Sequence, residues 1–599
     1  GTVINNDTLY VTQQGTYTAR AVTSTCESTE EVQIYKPIYV ATTGSNTNGD
    51  GTFANPFETI QYGVNTVAEG GKVYVLPGTY EEQVLITKGL YLTSNYERLT
   101  DSSAIGTTII KPGSSSKIED QNISDKYSYG GVSVVSTTGD VTISGFTIKD
   151  FEVFYADWWR SGAISINENE GYQVAYKNIV VTGTKQKQNE SCCSAAKVIT
   201  ANNSQNVVFD NVTIKNSGSS VQSIHRLAYM NDVNLHATEL KLSDNYSSGK
   251  LFSIENNSEM TVVNSIFDDG LGLGWSQYPI YLEGGSDFVA INSTFKEIES
   301  NPYDAAIYVS GSGSDILLFN TLIDAKEVLY HSGSNNTLEI VNSLIPSTAD
   351  LDHSGLTVTL DSADVIFGLA PTNNDYSLPA NSMAIGNGKK SHIWKSEVYS
   401  APSDDIYGKI RPTPQGSTLD IGAVESDKSL GDFDLLLTQC GYLLEASVLN
   451  TNAYTIEWLF NGSAVSTSNS FVANSLGIYT ANVYSQDRLD TIVKTIAITD
   501  PLRFETTITK NNCTDVGGGN NGRIEWGRPK GGTSNSNNNF YSWIENSAGG
   551  YVWGNPTSEI NHADDWNGTH SADGLGSDTY YVIVSDASGC SIIDTVLIE

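Results

Sequence analysis

The sequence predicts an all-β chain organised around a parallel β-helix, lidded once by a helix and flanked by β-sandwiches. Three observations carry this. A short phrase recurs at variable spacings, one amphipathic segment stands alone near its start, and part of residues 461–483 repeats the N-terminus.

From about Ile38 to Glu425 short β-rich bursts alternate with Asn, Gly and Ser. The phrase reads NVTI at Asn211, NSIF at Asn264, NSTF at Asn292, NTLI at Asn320 and NSLI at Asn342, with gaps of 53, 28, 28 and 22. The long gap divides in two when ATEL (Ala237–Leu240) counts as a copy, and VTISGFTIKD (Val141–Asp150) has the same character. Such periods, each closing on Ile, Leu or Phe, are those of coils stacked one strand spacing apart. The Asn tolerates a tight bend and can ladder its amide between coils. Propeller blades would repeat every ~40–50 residues with antiparallel strands, a pattern the sequence lacks. About 14 coils at ~4.8 Å would extend about 65–70 Å.

NPFETIQYGVNTVAEGG begins with Asn55 as N-cap and Pro56 at the first helical position, and ends at Gly70. Phe57, Ile60, Val64, Val67 and Ala68 make one apolar stripe. The open end of a strand stack exposes unpaired backbone, and a helix laid across it is needed only once. KVYVL, EQVLI and LYL then form the first coil, broken at Pro77–Gly78 and Gly89.

In the internal repeat Gly1 aligns with Gly462, Tyr10 with Phe471 and Tyr17 with Tyr479. The second copy follows YTIEWLF, whose Trp458 sits where an immunoglobulin-like sandwich keeps its core tryptophan. The expected domains are therefore 1–37, the tail of a sandwich lacking its front; 38–425, the β-helix; 426–501, an Ig-like sandwich; and 502–599, a further sandwich. The first residue already lies in a strand pattern without a signal peptide, so the chain reads as the interior of a longer precursor. Cys26 then expects a partner upstream of Gly1, whereas the second copy has Cys440 near its first strand and no cysteine at the place of Cys26. Cys513 and Cys590, near the two ends of the last module, fit a bridge closing it, while adjacent Cys192 and Cys193 are either a vicinal disulfide or two thiols. Six cysteines in 599 residues make local staples of an oxidising compartment.

Charge narrows the function. Lys plus Arg total 33 against 68 Asp plus Glu, a net charge of −35. That disfavours nucleic acid and anionic membrane surfaces, and no run of eighteen apolar residues inserts into a bilayer. Excess carboxylate suits the extracellular space, where calcium can be recruited.

YVATTGSNTNGDGTFANPFETIQYGVN with GGKVYVLPGTYEEQVLI resembles the start of right-handed β-helix proteins of the pectate-lyase-like superfamily. NNDYSLPANSMAIGNG (Asn373–Gly388) and GKIRPTPQGSTLDIGAVE (Gly408–Glu425) resemble the closing segment of its "choice-of-anchor" bacterial surface subset. The two stretches bracket about two-thirds of the chain, and the superfamily hosts lyases, hydrolases and plain binding modules. ITKNNCTDVGGGNNGRIEW (Ile508–Trp526) and YYVIVSDASGCSIIDTVLI (Tyr580–Ile598) resemble repeat units of gliding-motility (SprB-like) surface adhesins of Bacteroidetes-type bacteria, although the middle is longer and more aromatic. That resemblance implies export by type IX secretion. Asp-Ser/Thr-apolar triplets resemble the O-glycosylation acceptor of those bacteria and implicate Thr8, Ser362, Thr491 and Thr595.

Lyases of acidic polysaccharides need calcium on clustered carboxylates and a Lys or Arg base, projecting from matching places in successive coils. The phrases show no such recurring set, so no catalytic residue is assigned. Asp157, Trp158, Trp159 and Arg160, with Glu168 and Glu170, form the best glycan-binding candidate, joined by Trp275 and Tyr278. The blander reading packs the tryptophans on the solenoid wall and leaves His225 and Arg226 as ordinary coil positions. NTNGDG (Asn46–Gly51) echoes a calcium loop but has Phe57 at its twelfth position, which makes it a turn. Arg411 and Asp420 are expected to form a buried ion pair. The preferred reading is a segment of a very large secreted surface adhesin with the β-helix as rigid spacer and binding face. Its partners are other domains of the same chain, extracellular glycans, and secretion or motility machinery. The alternative is a secreted calcium-dependent polysaccharide lyase or glycoside hydrolase, calcium being the one cofactor either reading admits.

Overall fold

The structure, a computed structural model, describes residues 13–23, 26–99, 102–120, 126–153, 160–186, 196–219, 224–268, 278–298, 305–346, 351, 355–360, 366–367, 375–379, 382–430, 434–438, 443–447, 454–473, 475, 477–485, 491–498, 504–509, 522–527, 540–560, 569–585 and 591–598. Two compact units divide the chain, Gly1–Gly431 and Asp432–Glu599.

The first unit contains a parallel β-helix with three sheet faces. Its second face begins with Ile38–Val40, Lys72–Val75, Leu90–Ser94 and Val141–Ser144 and ends with Asp315–Phe319, Asn336–Val341 and Leu356–Leu360, every pairing parallel. This ladder counts twelve rungs among the described residues, about 50 Å at ~4.8 Å each. The expected 14 is too many because residues 382–425 add no coil. They double back along the side of the stack.

The recurring Asn is the corner between the second and third faces. In register on eight consecutive coils stand Gly145, Asn178, Asn211, Glu239, Asn264, Asn292, Asn320 and Asn342, all left-handed, with φ from 43° to 83°. L-residues resist this conformation, and Asn and Gly resist it least. On the last four of these coils the following Ser or Thr completes the bend. Ser265 Oγ accepts from Leu240 N at 3.2 Å and donates to Val263 O at 3.0 Å, and Ser343 Oγ accepts from Thr321 N at 2.9 Å. Inside, Phe252, Phe267, Phe288 and Phe295 fill the core, Phe267 lying 4.7 Å from Phe295 in parallel stacking.

The corner amides also hold the returning segment. Asn264 Nδ2 donates to Asp404 O at 2.5 Å, Asn292 to Asp420 O at 3.1 Å, Asn320 to Lys389 O at 2.8 Å and Asn342 to Asn387 O at 3.2 Å. Behind them Arg411 is fully buried, but its partner is Glu425, at 2.8 Å, and not the Asp420 carboxylate expected. Asp420 offers Arg411 only its main-chain oxygen, because its carboxylate already accepts the amides of Gly386 and Ser426.

The lid is shorter than its stripe suggests. The helix spans Ile60–Thr66 with Thr59 as N-cap. Phe57, expected inside it, bridges Val40 as extended backbone, so Asn55 and Pro56 lie in the approach loop. Ile60, Val64 and Val67 are buried in the helix core as predicted. Glu82 accepts from the amides of Ile60 and Gln61 at 2.7 and 2.9 Å, a carboxylate placed where the helix dipole favours it. Asn46 Oδ1 accepts from Glu58 N and Thr59 N, so the NTNGDG loop is a turn that caps the helix. Two further single helical turns, Tyr96–Leu99 and Ser103–Thr107, were not expected.

Each module of the second unit joins a three-stranded to a four-stranded antiparallel sheet. Trp458 and Trp526 are buried at their centres. Tyr479 and Tyr580 donate to the main chain four residues upstream, at Ser475 and Gly576, the tyrosine corner of Ig-like sandwiches. In the first unit the hairpin Gly15–Val22 with Glu27–Ile34 carries Tyr17, aligned with Tyr479, and Tyr17 makes the same bond to Gln13. Cys26 is exposed on that hairpin, and Cys192, Cys193, Cys440, Cys513 and Cys590 lie outside the described residues.

Glu239 occupies the corner that its neighbours fill with Asn, and burial beside Asp210 raises its carboxyl. Glu239→Asn should stabilise the protein by about 1 kcal/mol, whereas Asn320→Ala, which strips three buried hydrogen bonds, should cost about 2–4 kcal/mol. Thermal and denaturant unfolding measure both. If neither variant shifted the midpoint, the corner would not be what holds the coils.

Candidate functional site

On the first face the strands Ile164–Asn169, Lys197–Lys215, Ile224–Thr238, Ser247–Glu255, Ile280–Glu283, Ala305–Ser310 and Glu327–Ser332 stack in parallel. Period-two alternation turns their Ile and Leu inward and a different set outward. One outward row runs Ser165, Thr200, Tyr229, Ser253, Tyr281, Tyr308, Tyr330. At the leading edge Lys197 pairs with Arg226, and Arg226 with Lys250, on three consecutive coils. At the trailing edge Asn231, Glu255 and Glu283 are in register.

The cations are held tightly. Arg226 Nη1 lies 2.8 Å from Glu255 Oε1, which also accepts from Ser253 Oγ at 2.8 Å. The buried Nε of Arg226 finds no acceptor among the described residues, which leaves the guanidinium half-satisfied. Lys197 Nζ and Arg226 Cζ lie 5.3 and 5.2 Å from the centre of the Tyr229 ring, and Lys250 Nζ sits over Tyr281. Beyond them Tyr281, Tyr308 and Tyr330 form a stack with centroids 5.2 Å apart at both steps and planes within 13° of parallel. Tyr281 Oη donates to Glu283 at 2.8 Å.

Burial, reinforced by Arg226, pushes both Lys197 and Lys250 down to about 7. Burial pushes Tyr229 and Tyr281 up to about 12, so both phenols stay protonated. Two amines that exchange protons near neutrality beside a fixed guanidinium can hold an anion when charged and accept a proton when neutral.

Of the residues expected from sequence, Arg160 and Tyr278 reach this face. Arg160 heads the strand one coil before Lys197, is buried, pairs with Glu168 at 2.5 Å and stacks 4.4 Å over Tyr127. Tyr278 is buried against Tyr308 at 4.7 Å. Asp157, Trp158, Trp159 and Trp275 lie outside the described residues, as do Thr8 and Ser362. Thr491 and Thr595 are exposed strand positions. Arg226, read as an ordinary coil position, sits at the centre of the cluster, and the recurring charged set that the phrases do not show is present in the pairing register. The sequence does not display it because Lys197, Arg226 and Lys250 are 29 and 24 residues apart, with a register shift after Ile224. Among the described residues no group of three His, Cys, Asp or Glu is arranged to hold a metal ion. The NTNGDG loop does not fit calcium either, since the Asn46 and Asp50 side-chain oxygens already accept from Glu58, Thr59 and Thr52.

No protein-family model matches the chain, and no curated protein matches it in sequence. Among solved structures it is similar to "The complex structure of XylC with xylose", at 10% identity over 66% of this chain and 99% of that one, TM-score 0.36. It is also similar to the gp42 tailspike of Acinetobacter phage vb_AbaP_AS12, at 9% identity over 95% and 83%, TM-score 0.34. A rhamnogalacturonan lyase shares 12% identity over 58% and 95%, TM-score 0.22. Likenesses at these scores do not bear on which atoms of this chain do chemistry. That rests on the face itself.

Lys197 titrates near 7 in the folded protein against an ordinary 10.5. Between those values the unfolded chain keeps a proton that the folded one has released, so stability rises with pH across the window and the cost is complete below it. Lys197→Met should therefore raise the unfolding temperature, most at and below pH 7 and progressively less towards pH 10.5. A variant that is destabilised throughout would show that the lysine is a structural prop.

Proposed function

We propose that the first face of the β-helix engages an acidic polysaccharide laid along the coils, and that the chain is a carbohydrate-active β-helix working outside the cell. The observation that supports this is the in-register column Lys197, Arg226 and Lys250, flanked by the Tyr281–Tyr308–Tyr330 stack. A linear sugar polymer can present successive residues to successive coils, its carboxylates to the cations and its ring faces to the tyrosines.

The same groups support β-elimination. A neutral Lys250, the more exposed of the two lysines, removes the proton on the carbon next to the sugar carboxyl. Arg226, backed by the ammonium of the buried Lys197, holds that carboxylate as charge builds on it, and a protonated phenol, Tyr229 or Tyr281, passes a proton to the departing glycosidic oxygen. Three cations would supply the positive charge that a calcium-dependent lyase draws from its metal.

A second reading keeps the face and drops the chemistry. The chain would then be an internal segment of a large surface adhesin exported by type IX secretion, gripping glycans without cutting them. The sandwiches with their shared tyrosine corner favour it, since repeated modules suit a long surface protein.

The test is to incubate the protein with acidic and neutral polysaccharides, measuring retention and the ultraviolet absorbance of unsaturated products. Acidic polymers should be retained and neutral ones not, with retention reduced roughly tenfold or more in Arg226→Ala. Retention should weaken as pH rises through about 7, while product release, which needs one neutral amine and one ammonium, should peak near it, and Lys250→Met should flatten both profiles. Retention without products selects the adhesin. Retention undiminished by Arg226→Ala would remove both readings.

A further inference from the structure

The cation column of the first face stops after three coils. Two residues before the core residues Ile280, Ile307 and Leu329, where the earlier coils place Lys197, Arg226 and Lys250, stand Tyr278, Ala305 and Glu327. The strands Ile280–Glu283, Ala305–Ser310 and Glu327–Ser332 carry no Lys or Arg. Along one line of the solenoid, charge thus passes from three cations through two neutral positions to a carboxylate.

The rest of the face changes with it. The outward row becomes Tyr281, Tyr308 and Tyr330, and at the trailing edge Glu283, Ser310 and Ser332 follow in register. Tyr281 Oη is bonded to Glu283, and Tyr308 Oη lies 3.3 Å from Ser332 Oγ. Tyr308, Tyr330 and Ser310 are partly exposed, and Glu283 and Ser332 are exposed. Phenols and hydroxyls repeated one coil apart, ~4.8 Å, offer donors, acceptors and apolar edges. They offer no charge to answer an anion, and Glu283 and Glu327 repel one. The anion end is marked by Arg226, whose buried Nε has no acceptor among the described residues.

We propose that the polymer on the first face is a heteropolysaccharide of mixed charge, an acidic sugar over the coils of Arg226 and Lys250 followed by neutral sugars over the three tyrosine coils. This rests on the acidic-polysaccharide reading and narrows it. A polymer acidic at every sugar, once held by the cations, must lay its next carboxylates near Glu283 and Glu327. A neutral sugar at the same place meets Tyr308 and Tyr330 through its hydroxyls and its apolar ring. The tyrosine coils therefore select against charge, and the cation coils against its absence.

Titration calorimetry on the full chain tests it below pH 7, where Lys197 and Lys250 are charged. The probes are oligosaccharides of equal length from deacylated gellan, whose linear repeat carries a single uronate among neutral sugars, and from polygalacturonate, acidic at every sugar. The gellan oligosaccharide should bind roughly tenfold more tightly. Tyr330→Ala should weaken it several-fold and leave the oligogalacturonate unchanged. Glu327→Lys, which adds a cation to the tyrosine coils, should tighten the oligogalacturonate alone, and Arg226→Ala should weaken both. Oligogalacturonate bound as tightly as the gellan oligosaccharide, with both weakened in Arg226→Ala, would overturn this inference and leave the acidic-polysaccharide reading standing. So would a gellan preference that neither Tyr330→Ala nor Glu327→Lys altered. Binding of neither probe, or binding undiminished in Arg226→Ala, would remove that reading and this inference with it.

Discussion

A chain that climbs as a β-helix must change direction at the same place on every coil without losing its ladder. Here that constraint is met by a left-handed residue at one corner, repeated in register from Gly145 to Asn342. The corner fixes more than a bend. Because side chains alternate faces with period two, a slip of one residue would turn the buried Ile and Leu outward, so a corner that sets the phase of each coil sets which residues are core. The same Asn side chains point away from the coil with amide protons to spare, and four of them bond the returning segment. One conformational need therefore specifies the coil and the strap that covers its flank.

Register has a cost where side chains carry charge. Unit charges one rung apart repel by about 3–4 kcal/mol at an effective dielectric of ~20. Three cations on three successive coils would not persist as bare neighbours. The structure relieves them in two ways. Glu255 neutralises Arg226 directly, and the two lysines lose affinity for their protons. An edge that served folding alone would do better with Thr or Val, which fit a half-buried strand without any charge to relieve. The column is thus a feature that stability does not explain, and this separates it from Arg411, whose burial is matched by Glu425 and by main-chain oxygens on several sides.

What the sequence discloses follows from how local each requirement is. The corner is legible on the last four coils because a left-handed residue followed by a capping Ser or Thr is a demand on two adjacent positions, and NS or NT answers it at Asn264, Asn292, Asn320 and Asn342. ATEL, counted as a copy from Ala237, starts two residues early, since the corner is Glu239 and Leu240 follows it. The lid's buried stripe is legible for the same reason. Its start is not, because Asn46 and Glu82, distant in sequence, supply the capping oxygens that Asn55 seemed to offer. The cation column is the least legible feature. Its residues touch only through the pairing of whole coils, and loops of unequal length hide their common place. A search by pairing register would find Arg226, and a search by phrase finds the Asn instead.

The register of the solenoid repeats like charge on two faces, with opposite sign. Each takes a position that the register repeats and fills it with like charge, cations on the first face and carboxylates on the second. Against a net charge of −35, the carboxylates Glu259, Asp287 and Asp315 need no special defence, and one lysine, Lys395, bonds the last two. The cation column is the exception to the chain's overall field. A polyanion approaching at physiological salt feels charges only within about 8 Å, so the acidic remainder of the surface is largely screened, and the buried Lys197 and partly buried Lys250 and Arg226 act only at short range. Recognition of an acidic polymer by so acidic a protein thus depends on a short-range groove, and the first face, where Arg226, Lys250, Tyr308 and Tyr330 are partly exposed, is the described surface that answers to that condition.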